Sequence, residues 1–232
     1  MRRPVRRPDP TGANPSPSLP AQSFSTCIAT PGTPSLAASS AKGNGQAASF
    51  RPVGVPSLDS VFDKAAAIDQ TIHNAARDLA AARDKVLNAA GAANLDGVRE
   101  SLAGLGASAF RVDMANGVPT ITVGSAVPAE ASGLVGAVAE LGQTVGRLSR
   151  ELATLPAEVK ALVVAVQEAA AKAPAEVKSL TQSGSIKPTE VPKLLKTVKG
   201  NVAATTALPE GVETLLGELK STVAFLGSLA SG

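Results

Sequence analysis

Ten apolar positions follow one another from Leu58 at intervals of three and four residues: Leu58, Val61, Ala65, Ile68, Ile72, Ala75, Leu79, Ala82, Val86 and Ala89. An interval averaging about 3.5 keeps every member on one side of an α-helix, so the stretch predicts a long helix with a continuous apolar seam. Ser57, after Pro56, is placed to cap its start, and Gly91 to end it. A second run is longer: Leu134, Val138, Leu141, Val145, Leu148, Leu152, Leu155, Val159, Leu162, Val166, Ala169 and Ala173. Its intervals alternate four and three throughout. Pro156 falls beside this stripe and predicts a kink near that point without loss of register. Two such seams in one chain predict a mainly all-α fold, an elongated antiparallel helical bundle or coiled-coil-like hairpin.

Between the seams the period changes. Leu95, Val98, Leu102 and Leu105 mark a short helix over 94–106. The stretch 108–124 then holds two β-prone runs around Asn116-Gly117, a pair that tolerates the positive φ of a tight hairpin turn. Pro119 restricts its strand to an edge. One small β-hairpin is therefore expected beside the helices.

A near-repeat punctuates the C-terminal half. Pro128, Pro156, Pro174, Pro188 and Pro209 are each followed six residues later by Leu: Leu134, Leu162, Leu180, Leu194 and Leu215. Four carry Glu two places on, at Glu130, Glu158, Glu176 and Glu190. Proline suits a helix's first turn, whose amides lack acceptors, and Glu there complements the positive helix end. Each copy reads as a helix start, which predicts a long heptad helix over 128–173 and shorter amphipathic helices over 174–232.

Residues 1–55 differ in kind. They hold nine of the seventeen prolines among Ser, Ala, Thr and Gly, and their low hydrophobic periodicity predicts a disordered tail ahead of a body at 56–232. The tail carries Arg2, Arg3, Arg6, Arg7, Lys42 and Arg51 against Asp9, a net +5, whereas the body's 16 basic and 18 acidic residues leave it at −2. A body of that sign, with no Tyr or Trp and five Phe, has neither the basic surface nor the stacking platforms for nucleic acid. No stretch of about 18 uninterrupted apolar residues occurs, so no transmembrane helix is expected.

Chemistry-bearing residues are sparse. Cys27 and His73 are each the only one of their type, so no internal disulfide is available and a zinc site is not expected. His73 lies between seam members Ile72 and Ala75 and points outward. Asp59, Asp63, Asp69, Asp78 and Asp84 fall on the same polar face and read as solubilising charges. Gly136, Gly142 and Gly146 are spaced for close helix packing. No glycine pattern cradles a phosphate. These observations predict no catalytic residue, no metal and no cofactor.

Two further features concern surfaces. Cys27 precedes a run of small residues over 28–49 that resembles the tether after the lipidated cysteine of bacterial lipoproteins. No apolar run precedes it, so an unmodified cysteine is expected, with lipidation and a cell-envelope location as the alternative. Lys193, Lys196 and Lys199 flank the stripe Val191, Leu194, Leu195 and Val198 and would suit an anionic membrane interface. The proline-punctuated amphipathic helices over 128–229 look like those of the exchangeable apolipoproteins, a likeness of pattern that carries over no residue. The function expected is that of a non-enzymatic structural or interaction protein, self-associating or docking a protein partner through its seams. The alternatives are a lipid- or membrane-surface protein and, lower, a pore-forming helical protein.

Overall fold

Pro56 opens the first helix, α1 (Pro56–Ala90), where its missing N–H costs nothing. The computed structural model describes residues 50–105, 109–115, 118–125 and 127–230. Gly91, at φ 61°, ends α1 as its own N–H and that of Ala92 return to the carbonyls of Asn88 and Leu87. The short α2 (Leu95–Ala103) is capped by Asn94, whose side chain accepts from the Gly97 N–H at 2.9 Å. Then come the strands β1 (Phe110–Ala115) and β2 (Val118–Val123), followed by α3 (Ser132–Glu151), α4 (Leu155–Gln182) and α5 (Val191–Leu229). The fold is mainly α-helical with one small hairpin, as the periodicities predict.

Ion pairs give the helix directions. Lys85 of α1 meets Glu140 of α3, and Asp78 meets Arg147, so position falls on one helix as it rises on the other. Ser57 donates to Glu176 of α4, extending the same antiparallel course. On α5, Asn201 bonds to Arg51 and Gly211 lies beside Ile72, so α5 runs parallel to α1. The result is a three-membered helical bundle, with α3 and α4 together forming the returning arm, and α1, that arm and α5 each packing against the other two around one continuous core.

Most seam positions are core positions. Leu58, Ile72, Leu79 and Val86 are buried on α1, as are Leu134, Val138, Leu141, Val145, Leu148, Leu152, Leu155, Val159, Leu162 and Val166 on the returning arm. Val61 and Ile68 depart from the expected seam. They are half-buried, and Phe62 and Asp69 take the interior places. The cause is geometric: α1 packs against α3, α4 and α5, so its buried face is centred between neighbours. Ala89 is exposed beyond the last core turn.

Other sequence expectations need correction. The arm over 128–173 is not one kinked helix. It breaks at 152–154, because Pro156 offers no N–H to the Leu152 carbonyl and its ring crowds that carbonyl in a continuous helix. Leu152 and Leu155, both buried, carry the stripe across the break. Conversely, Pro174 and Pro209 do not start helices; each lies inside one. Pro174 costs about 3 kcal/mol, but burial of Val177 and Ile186 beyond it contributes about 1.5–3 kcal/mol each. Past Pro209 the helix buries Val212, Leu215, Leu219 and Leu226, an even stronger hold. The region 174–232 therefore holds the end of α4 and a 39-residue α5 in place of several shorter helices.

The N-terminal boundary also moves. Val53 and Val55 are buried, and the Val53 and Gly54 amides donate to Asp59 at 2.6 and 2.9 Å. Asn201, itself buried, accepts from the Arg51 N–H at 3.3 Å and donates to the Arg51 carbonyl at 2.8 Å. Residues 50–55 thus belong to the body. Asp59, rather than Ser57, organises the entry to α1, and the residue preceding the helix is Val55. Most of the expected tail, Cys27 included, lies outside the described residues.

The hairpin lies across α3 and α5. Its ladder runs from Phe110↔Val123 to Ala115↔Val118, and the predicted turn at Asn116-Gly117 lies outside the described residues. Ala115↔Val118 closes the turn, so the next pair, Met114↔Pro119, is a non-hydrogen-bonded one, and the missing Pro119 N–H would point away from β1. Gly142 and Gly146 do serve close packing, but of a strand. A Cβ on Gly142 would sit 2.7 Å from Ile121 Cδ1, and one on Gly146 would sit 3.2 Å from Val118 Cγ1. Gly136 faces open space.

Leu148 sits fully buried in the middle of the returning arm, whereas Ala161 is exposed. Leu148→Asp should destabilise the chain by about 3–5 kcal/mol, through an unpaired buried charge and lost packing. Ala161→Asp should change stability by less than about 0.5 kcal/mol. Urea unfolding followed by circular dichroism compares them.

Candidate functional site

Charge is unevenly distributed over this bundle. Around the hairpin end, four cations are paired: Lys85 with Glu140, Arg99 with Asp96, Arg111 with Asp113, and Arg147 with both Asp78 and Glu151. Arg147 donates to Asp78 at 2.7 Å and to Glu151 at 2.9 Å. These hydrogen bonds, Asp78 first, hold its guanidinium above its ordinary value. A raised value means the contribution is fully present below the unfolded one, hence across the whole working pH range.

At the other end, the close of α4 and the start of α5 carry Lys172, Lys178, Lys187, Lys193, Lys196 and Lys199 against Glu176 and Glu190, a net +4. With the body at −2, its remaining residues net −6. All six lysines are exposed, and none forms an ion pair among the described residues. Glu176 accepts a hydrogen bond from Ser57 on α1. Lys199 lies across from Pro174 of α4, one helical turn from Lys178, a neighbour that the lysine triplet in the sequence does not reveal. Beside the triplet Val191, Leu194 and Leu195 are only half-buried.

A cleft of about 410 Å³ lies here, between α4 and α5. Its lining is Ala170, Ala173, Pro174, Leu195, Val198, Val202 and Ala203, with Lys199 as the one charged side chain. Alanine at three of these places leaves room that larger side chains would fill. A larger cleft, about 770 Å³, opens between α2, β1 and the end of α5. It is lined in part by Arg99, Phe110, Arg111, Val112, Asp113 and Leu229. Both of its arginines are already committed, to Asp96 and Asp113.

The remaining candidates stay apart from these clefts. His73 Nδ1 lies 2.8 Å from the Asp69 carbonyl oxygen and 3.4 Å from Asp69 Oδ1, within its own helix. Asp69 is buried, contrary to its expected place on the polar face. Among the described residues no three His, Cys, Asp or Glu side chains are grouped to hold a metal ion, and no helix is long and apolar enough to cross a membrane. No family model, curated protein or solved structure matches this chain.

The paired end supplies a check on how little such bridges weigh. Arg147 is substantially exposed, at 44% of its side-chain surface. Arg147→Ala should lower unfolding free energy by no more than about 1 kcal/mol at low salt, and by less in about 1 M salt. Parallel urea titrations at the two ionic strengths measure it.

Proposed function

We propose that this chain is a non-enzymatic interaction protein, a pre-folded helical bundle that docks an acidic partner surface onto the lysine-rich face of α4 and α5. The observation that carries this reading is the segregation of charge: six exposed lysines without ion pairs stand on a body that is otherwise acidic. Such a patch steers an oppositely charged partner and fixes its orientation. The seams support docking from outside, since their buried residues are reached only by separating α1 from the returning arm.

An anionic membrane surface is the second reading. It is favoured by Val191, Leu194 and Leu195, which border the lysines and are incompletely covered. Both readings rely on the same three lysines of α5, and both leave the bundle soluble without a spanning helix.

Immobilised poly-glutamate tests the first reading. The full chain should be retained at low ionic strength and released by salt. Changing Lys193, Lys196 and Lys199 together to Glu should release it at lower salt than the same change at Lys64, Lys160 and Lys220. Equal shifts would place the interaction in overall charge and remove the docking face. Vesicles of anionic phospholipid decide between partners: the first reading predicts a chain that stays in the supernatant with unchanged helix signal, and co-sedimentation supports the membrane.

A further inference from the structure

The cleft between α4 and α5 differs from the lysine surface around it, because its floor is aliphatic and its polar equipment is a single ammonium. Ala170, Ala173 and Pro174 form one wall, and Leu195, Val198, Val202 and Ala203 form the other. None of these side chains can donate or accept a hydrogen bond. The floor therefore offers dispersion and water exclusion to an alkyl group and nothing to a polar ring. Lys199 lines the cleft, and two more lysines continue from its margin. Lys178 lies one helical turn beyond Pro174, and Lys196 lies one turn before Lys199. None of the three has a carboxylate partner among the described residues.

We propose that this cleft binds a single-chain amphiphile with an anionic head, of the fatty-carboxylate class, its alkyl chain along the aliphatic floor and its carboxylate at the Lys199 ammonium. The inference rests on the lysine face being the working surface and names the ligand chemistry that its cleft accepts. Size selects one chain: about 410 Å³ stands near the lower end of the range for small-molecule sites. Charge selects the head, since an ammonium without a carboxylate partner gains from an anion and a neutral head gives it nothing. A protein side chain entering the same cleft would have to be long and aliphatic with an acid at its end, which no standard residue is.

Calorimetric titration of the full chain with laurate below its micelle-forming concentration tests this. Laurate is expected to bind one-to-one, while acetate, which has the head alone, and dodecyl maltoside, which has the chain with a neutral head, do not bind at the same concentrations. Lys199→Glu should weaken laurate binding by about tenfold or more. Lys220→Glu, further along α5, should leave it unchanged. Ala203→Phe, at an exposed position on the cleft wall, should abolish binding with the helical signal intact.

Equal weakening by Lys199→Glu and Lys220→Glu would overturn the proposal, as would dodecyl maltoside binding as tightly as laurate. So would co-sedimentation with anionic vesicles by a chain that ignores monomeric laurate. Retention on poly-glutamate without laurate binding would remove the ligand and leave the docking face. Failure of both would remove both.

Discussion

Burial of the α1 seam between α5 and the returning arm is the interaction on which the rest of this structure depends. The chain has no Tyr or Trp and few Phe, so each core residue hides little surface. A core built from Ala, Val and Leu reaches an adequate buried area only by being long. Length in turn requires helices that keep one register over many turns. The 35 residues of α1 and the 39 of α5 follow from that requirement. The hairpin, the entry segment 50–55 and the short α2 are then fastened onto helices already fixed by the core.

The prolines show tertiary packing overriding local preference. Pro156 and Pro174 are equally unable to donate to a carbonyl four residues back, yet one follows a break and the other is absorbed into a helix. What differs is what lies ahead of each. At 152–154 a short break still delivers Leu152 and Leu155 to the core, so nothing is lost by leaving the helix. At Pro174 a break of uncontrolled length would take Val177 out of register with Val166 and Ala173, all three of them buried. At Pro209 a break would likewise displace Val212 and Leu215, both of them buried.

Helical class, the hairpin and most core positions were legible in the residues because each depends on a local period. Leu79, Val86, Leu141 and Val145 are buried where a simple alternation of three and four puts them. Asp69 and Phe62 were not legible, since their interior places depend on how many helices surround α1, which no single-helix pattern records. The docking of residues 50–55 was not legible for a similar reason. It rests on Asn201, about 150 residues away in the chain, and a Pro-Val-Gly-Val stretch looks like linker without that partner. The lysine face was half legible: Lys193, Lys196 and Lys199 are visible as a triplet, but Lys178 joins them only when α4 lies against α5. The cleft could not be read at all, because alanines that leave a gap look the same in sequence as alanines that close one.

On the proposed reading, a bundle that satisfies its own seams would meet a partner with its exterior, and its exterior is acidic except where α4 gives way to α5. The account therefore stands on the seams being closed within a single chain. Sedimentation equilibrium over a wide range of protein concentration tests that most directly. It should return the mass of one chain at every concentration, with a helical signal that dilution does not change. A dimer that dissociates on dilution with loss of helix would contradict the account, because the seams would then be completed between copies of the chain.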